Sequence, residues 1–308
     1  MAQNMFTRRF THQVDAWVVW NRETQVENRV ETNSELPDHD IYGFQNDIKS
    51  LENFLLDRKV DKEFKSLVIV GEYGVGKTTL CKMIFNDTDV KSVYAPRIWV
   101  SIPSNESNEG IDGKIYVVKK ILNDLVIEND MSEFIHIEAV EEVAVKQEAG
   151  EIDGETAKEK ELSALLYALH LNLRWKKYLI VFDDVREINN WNEIIEDDEG
   201  KLKEGEKWGK YLSDGFPKGS GGRVIYTTRD EKLALVAEEH EILRLWPLSD
   251  HQSVRKIYDA MIQRIGKEPP KNDKKCIDEL MNKSRGLPLA ARMLAELDPV
   301  FLDDEPVE

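Results

Sequence analysis

Residues 71–79 read GEYGVGKTT, and this stretch decides the fold class. Gly71, four further residues, Gly76, Lys77 and Thr78 form the pattern of a phosphate-binding loop, whose glycines let backbone N–H groups surround phosphate oxygens. In such a loop the lysine reaches the β and γ phosphates of a nucleotide, and the threonine hydroxyl ligates Mg²⁺. The sequence therefore predicts a nucleotide site with a bound magnesium ion.

The residues on either side of the loop agree with this prediction. Residues 66–70 (SLVIV) are apolar enough for a strand that is buried on both faces, and residues 80–85 (LCKMIF) are typical of a helix. A helix that begins at the loop adds its partial positive charge to a phosphate site. The alternative is a glycine-rich turn in an α/β fold that holds no ligand.

Composition limits the class of protein. The chain has 308 residues, with 42 Lys and Arg against 59 Asp and Glu, and a net charge of −17. Such an acidic chain is not expected to bind duplex nucleic acid, because phosphate neutralisation needs a basic face. The two cysteines, Cys81 and Cys276, have no companion ligands for zinc and favour a reduced, cytoplasmic protein. No apolar run is long enough to predict a membrane span.

The chain divides into four predicted parts. Residues 1–40 form an N-terminal arm, whose Trp17 and Trp20 either pack on the main domain or make an oligomer contact. Residues 41–248 alternate apolar strands with helical stretches, which predicts a parallel sheet flanked by helices. The expected strands are 66–70, 97–102, 178–183, 223–228 and 241–246. Two acidic inserts, 128–161 and 193–207, favour solvated loops, or docking sites for a basic partner.

Residues 249–298 predict a small all-helical domain, followed by an acidic tail over 299–308. Ser249 and Gln252 have the spacing of a capping box, which predicts a helix from 249 to about 265. A second helix is expected over 272–284, with Gly286 at its C-terminal cap. Pro288 suits the first turn of a third helix that ends near residue 297.

Two further stretches supply polar side chains at strand ends. YLIVFDDV (178–185) ends a buried strand in two acids, so Asp183 is expected to hold Mg²⁺ and Asp184 to orient or deprotonate an attacking water. GGRVIYTTR (221–229) places Arg229 at the end of another strand, where it either senses a γ phosphate or forms an ordinary surface salt bridge.

Together with GLPLA (286–290), these motifs resemble, in order and spacing, the NB-ARC module of plant NLR disease-resistance proteins. The resemblance covers residues 38–297, and Ile41–Phe44 looks like the family's segment beside the adenine. It implies an ADP/ATP switch, with Pro288 near the adenine and Arg229 on the γ phosphate of ATP. The nucleotide-binding residues that it implies are Tyr42, Gly43, Gly74, Val75, Gly76, Lys77, Thr78, Thr79, Arg229 and Pro288. Thr78 and Asp183 are the expected ligands of Mg²⁺, and Asp184 and Arg229 the expected catalytic residues.

The sequence also departs from the family. Glu72 and Tyr73 stand where small or apolar residues are usual. The winged-helix domain with its Met-His-Asp motif and the leucine-rich repeat are not in the sequence, so we expect a short form of the family. Three hypotheses follow: a nucleotide switch that serves as adaptor or regulator of immune receptors and is at most a slow ATPase, a competent ATPase, or a scaffold with a vestigial pocket. The expected partners are immune-receptor or signalling proteins, with oligomerisation left open.

Overall fold

The computed structural model describes residues 31–57, 62–101, 110–125, 135–138, 156–185, 209, 211–232, 241–269 and 274–297. Trp17 and Trp20 of the predicted arm, the insert 193–207, most of the insert 128–161 and the tail 299–308 lie outside the described residues. No helix among the described residues combines the length and apolar character needed to cross a bilayer.

A parallel sheet of five strands forms the centre of the larger domain, which confirms the predicted fold class. The strands are β1 (Lys65–Val70), β2 (Arg97–Ser101), β3 (Leu179–Val185), β4 (Arg223–Thr228) and β5 (Glu241–Arg244). Their order across the sheet is β2-β3-β4-β1-β5. The carboxyl ends of β1, β3 and β4 therefore lie side by side, which is where parallel sheets bind ligands.

Helices cover both faces of the sheet, and three more form the small domain. The helices are α1 (Gln45–Leu56), α2 (Lys77–Asn86), α3 (Thr88–Val93), α4 (Gly110–Asp124), α5 (Ala157–Leu173), α6 (His251–Arg264), α7 (Lys274–Ser284) and α8 (Pro288–Glu296), with a 3-10 turn over Leu212–Gly215. The predicted all-helical region after the sheet is thus present as α6, α7 and α8.

Alternation along the strands builds two separate cores. Leu67 and Ile69 of β1 pack with α1, α2 and α3, whereas Val68 and Val70 pack with α4 and α5 on the other face. Both sets of side chains are buried, so the strand is apolar along its whole length, as buried parallel strands are. Burial on both faces fixes the position of β1, and with it the start of the phosphate loop.

The strand and loop boundaries differ from the prediction in physically explicable ways. β5 ends at Arg244 rather than 246, because the N–H of Leu245 donates the last bond, of 2.8 Å, to the carbonyl of Val70, where its partner β1 ends. The loop predicted over 128–161 is wrong for its last residues. Thr156 and Glu159 form a capping box, α5 begins at Ala157, and Glu161 is buried against Lys119 and His136.

The helical domain has its own core, formed by apolar residues of α6, α7 and α8 with Leu248. Its first helix is not capped by Ser249, as the sequence predicts, but by Asp250. The Asp250 carboxylate accepts bonds from the N–H groups of Gln252 and Ser253 at 3.1 and 3.0 Å, and from the Ser253 hydroxyl at 2.6 Å. The Ser253 hydroxyl bond holds the pKa of Asp250 below its ordinary value. A charged cap with two acceptor oxygens wins over the neighbouring serine because it satisfies two N–H groups at once.

This cap yields a test of the helix start. Asp250→Ala is expected to lower the free energy of unfolding by about 1 kcal/mol, because two N–H groups of the first turn lose their acceptor. Ser249→Ala, the matched control one residue earlier, is expected to change it by less than about 0.5 kcal/mol. Urea unfolding of both variants measures the difference, and a larger loss in Ser249→Ala would contradict the assignment.

Candidate nucleotide-binding site

The phosphate loop connects β1 directly to α2, and Gly76 is the last residue before the helix. Gly76 has φ +105°, and a Cβ there would lie 2.5 Å from a ring carbon of Phe44. A side chain at this position is excluded both by the backbone conformation and by the ring. The loop therefore passes closely under Phe44 and opens toward a cavity of about 360 Å³ at the carboxyl end of the sheet.

Lys77 opens α2 and is only 7% exposed. Its ammonium donates to the carbonyls of Gly71 and Glu72 at 2.7 and 3.0 Å, which folds the side chain back over the loop. An ammonium carries three donors. Two of them hold the loop in shape, and the side chain still lines the cavity.

Burial lowers the pKa of Lys77 to about 8. Desolvation of the ammonium is the main cause, and the positive charge of Arg229 adds to it. The carboxylates of Asp184 and Asp183 act in the opposite direction and offset part of the effect. Because the pKa of this amine is lowered, its charged form is destabilised in the free protein, and a phosphate beside it would stabilise that form.

Asp183 lies at the point where β3 is irregular. Between the pairs Phe182–Tyr226 and Val185–Thr228, two residues of β3 face the single residue Thr227 of β4. The Thr227 hydroxyl donates to Asp183 at 2.7 Å and accepts from the N–H of Asp184 at 2.8 Å, so it bridges this bulge. Asp184 takes a φ of +57° there. Because of the bulge, both acids line the cavity instead of alternating between the two faces of the sheet.

The Asp183 carboxylate is 1% exposed and accepts bonds from three threonines. Besides Thr227, the Thr78 hydroxyl lies 3.0 Å from both carboxylate oxygens, and the Thr32 hydroxyl lies 2.8 Å from Oδ2. Thr32 belongs to the segment before α1, and it also accepts a bond of 3.1 Å from the indole N–H of Trp99. The end of the predicted N-terminal arm thus reaches the same carboxylate as the phosphate loop.

Arg229 and Asp184 are paired with each other. The guanidinium lies 3.3 Å from the Asp184 carboxylate and 4.4 Å from the centre of the Tyr73 ring. Tyr73, one of the departures from the family pattern, therefore supplies a cation–π contact to the predicted sensor. Glu72, the other departure, is exposed and is not among the residues that line the cavity.

The helical domain closes the cavity from the opposite side. The N–H of Leu289 donates to the carbonyl of Gly74 at 3.2 Å, and a Cβ on Gly74 would lie 2.9 Å from the Leu289 Cβ. Gly74 has φ +80°, so it is glycine for conformational reasons as well. Pro288, at the first position of α8, and Arg292, one turn later, complete this wall.

A second, narrower cavity of about 60 Å³ adjoins the first. It is lined mainly by apolar side chains of the segment before α1, of α6 and of α8. The residues that line both cavities are Gly76, Thr79, Pro288 and Arg292. The mainly apolar lining of the second cavity suits contact with the face of a nucleobase, and the polar lining of the first suits phosphates.

The structure brings most of the predicted residues together. The phosphate cavity contains Gly74, Gly76, Lys77, Thr78, Thr79, Asp183, Asp184, Arg229 and Pro288, and the apolar cavity contains Tyr42, Gly76, Thr79 and Pro288. Gly43 and Val75 line neither. Gly43 has φ +94° and faces Leu248, and the Val75 side chain is buried in the core under the sheet. Any contact of these two residues with a nucleotide would therefore come from the backbone.

Sequence reasoning missed several residues of the site. Thr32, Thr227 and Arg292 line or shape the phosphate cavity, and Ile257 and Met261 line the apolar one. Phe44 also lines the apolar cavity, but it belongs to the segment that was expected beside the adenine. Only Arg292 had a usable signal, because it lies four residues after Pro288 and so shares its helix face. Ile257 and Met261 of α6 had no such signal, because the sequence of an amphipathic helix does not show which domain its apolar face contacts.

The donors present fit a nucleotide with magnesium. The ten-residue α2 begins directly after the loop, so the N–H groups of its first turn are available to a phosphate. Asp183 and Thr78 offer oxygen ligands 3.0 Å apart, which is the chemistry that Mg²⁺ prefers. Among the described residues no group of three or more His, Cys, Asp or Glu is gathered to hold an ion. The metal would thus take its remaining ligands from phosphate oxygens and water.

Comparison with known proteins gives strong sequence matches. The NB-ARC domain family matches residues 44–203, just over half of the chain. The probable disease resistance protein At5g45440 of Arabidopsis thaliana is 71% identical over 303 residues, covering 97% of this chain and 87% of that protein. The probable disease resistance protein At5g45490 of the same plant is 71% identical over 291 residues, covering 92% of this chain and 81% of that protein.

Among solved structures, Cdc6p from Pyrobaculum aerophilum superposes with a TM-score of 0.47 at 13% sequence identity, covering 86% of this chain and 62% of that one. The family match ends before Thr227, Arg229 and Pro288. These residues enter the site through the fold, which places them in the same cavity as the matched phosphate loop.

The pKa of Lys77 gives a pH test. With magnesium omitted, ADP is expected to bind about tenfold more weakly at pH 9 than at pH 7, because binding must then reprotonate an amine whose pKa in the free protein is about 8. Titration calorimetry at the two pH values measures this ratio. The charged groups around Lys77 are Arg229, Asp183 and Asp184, with the buried thiol of Cys81, whose pKa is raised by burial.

Lys77→Arg is the control for this test. Its guanidinium stays charged across the range, so the ratio between pH 7 and pH 9 should approach one even if overall affinity falls. An equally steep loss in Lys77→Arg, or a flat profile in the unaltered protein, would show that Lys77 is not the titrating group.

Proposed function

Since the chain belongs to the NB-ARC family, we propose that it is a nucleotide-dependent switch that binds ADP or ATP with Mg²⁺ and acts as an adaptor or regulator in plant defence signalling. The observation that carries this proposal is the cavity shared by two domains. Its floor is the phosphate loop with Asp183, and its roof is α8 with Pro288 and Leu289. A ligand in such a cavity stabilises the arrangement of the two domains that it contacts best.

Chemical roles follow from the positions of the side chains. Lys77 and the N–H groups at the start of α2 would hold the terminal phosphates, while Thr78 and Asp183 would hold the metal, which neutralises phosphate charge when bound. Thr78 and Asp183 already contact each other at 3.0 Å. The Thr32 hydroxyl occupies another acceptor position of the same carboxylate, so it would compete with the metal for Asp183.

Discrimination between ADP and ATP would rest on Arg229. The side chain lies between Asp184 and Tyr73, 3.3 Å from the first and 4.4 Å from the centre of the second. A γ phosphate offers the guanidinium a stronger, doubly charged acceptor than one carboxylate. ATP would therefore draw Arg229 away from Asp184, and ADP would leave the pair intact.

A competent ATPase is the second candidate, because Asp184 and Arg229 both line the phosphate cavity. Each of these groups is engaged by the other in this structure, so ATP would have to break their ion pair before either group could act. A scaffold with a vestigial pocket is the third reading. It is disfavoured by Lys77, which is 7% exposed and whose ammonium donates to the neutral carbonyls of Gly71 and Glu72, an arrangement that a phosphate would stabilise.

Nucleotide binding is tested by thermal melting. ADP at a hundredfold excess over its dissociation constant is expected to stabilise the protein by about 2.7 kcal/mol, which raises the melting temperature by several degrees. Lys77→Ala should lose this shift, whereas Lys91→Ala, an exposed lysine on α3, should keep it. A protein with no shift from ADP or ATP, with or without Mg²⁺, would overturn the proposal in favour of the scaffold.

Turnover separates the switch from the enzyme. Phosphate release from saturating ATP is expected to be slower than about one per minute, against 1–10³ per second for typical enzymes. A rate of one per second or more would show that hydrolysis itself is the function.

A further inference from the structure

The helical domain contributes a cationic side chain to the phosphate cavity. Arg292 lies on α8, one turn after Pro288, and its side chain is half-buried. It lines both the phosphate cavity and the apolar cavity, and so marks the place where the two meet. Neither the phosphate-loop pattern nor the family match, which ends at residue 203, includes this position.

The other charged groups of the phosphate cavity are already engaged. Lys77 donates to two carbonyls, Asp183 accepts from three threonines, and Asp184 pairs with Arg229. Arg292, by contrast, has no hydrogen bond, ion pair or aromatic contact with any residue in the described ranges. A guanidinium presents five N–H donors in a fixed fork that matches phosphate and carboxylate groups.

We propose that Arg292 binds the α phosphate of the bound nucleotide. This inference rests on the proposed function and deepens it by adding a residue from the second domain. A nucleotide with its base in the apolar cavity and its terminal phosphates on the loop has its ribose and α phosphate between the two. That is the position where Arg292 lines both cavities.

The same geometry assigns Arg292 a part in domain closure. Its helix already meets the loop through the bond from Leu289 to Gly74. A phosphate held by Lys77 on one domain and by Arg292 on the other would add a charged bridge to that neutral contact. Loss of Arg292 would then weaken nucleotide binding but leave the stability of the nucleotide-free protein unchanged.

The experiment measures binding of ADP, AMP and adenosine by competition with a fluorescent ADP derivative. The variants are Arg292→Gln, Arg292→Lys and, as a control for charge loss in the same domain, Lys274→Gln, an exposed residue at the start of α7. Arg292→Gln is expected to weaken the binding of ADP and AMP by about tenfold or more, since a hydrogen bond to a charged group is lost. The affinity for adenosine should change by less than twofold. Arg292→Lys should retain part of the affinity for ADP and AMP that Arg292→Gln loses.

Each other outcome has a definite meaning. ADP affinity of Arg292→Gln within twofold of the unaltered protein would overturn the inference, as would an equal loss for adenosine or a lower melting temperature without nucleotide. A loss confined to ADP would move the contact to the β phosphate and overturn the α-phosphate assignment. An equal effect in Lys274→Gln would show that only net charge matters. If the unaltered protein binds no ADP, the proposed function itself fails.

Discussion

The carboxylate of Asp183 is the point on which the geometry of the site depends. Hydroxyls from three distant parts of the chain, Thr32, Thr78 and Thr227, all donate to it. Such a buried charge is tolerated only when several hydrogen bonds replace its lost water. These bonds tie the segment before α1, the start of α2 and the end of β4 to one strand. The position of the loop relative to the sheet is therefore set by polar contacts at the cleft, as well as by the apolar cores on either side.

The parts of this arrangement that the sequence could predict are the local ones. A buried strand, a glycine loop and a helix follow one another within twenty residues, so β1, the loop and α2 were readable from pattern alone. At the end of β3 the two acids were expected in the site, but the bulge that places them there was not. The bulge that aims Asp183 and Asp184 into one cavity arises from Thr227, more than forty residues away. Thr32 was hidden for the same reason, because nothing in its neighbourhood indicates which carboxylate it reaches.

The helical domain shows a different limit of sequence reasoning. Its helices and Pro288 at the start of α8 followed from turn and cap signals, yet the cap of α6 is Asp250 rather than Ser249. Adjacent residues of similar capping preference differ only in the geometry that the preceding chain imposes. The contact between the domains was equally hidden. In the sequence Gly74 is one of several loop glycines, but in the structure its lack of a side chain lets Leu289 pack against its Cα.

Gly74 thus belongs both to the phosphate loop and to the contact with the helical domain. A residue with a side chain there would disturb the loop, because φ is +80°, and would also push away α8, because its Cβ would meet Leu289. The loop cannot change its path without moving a backbone contact to the second domain. A bound phosphate that reshaped the loop would therefore act on α8 through the hydrogen bond from Leu289 to Gly74. Tyr73, beside Gly74, stacks on Arg229 and so connects the same loop to the candidate sensor. One short segment thus contacts both Arg229 and the helical domain.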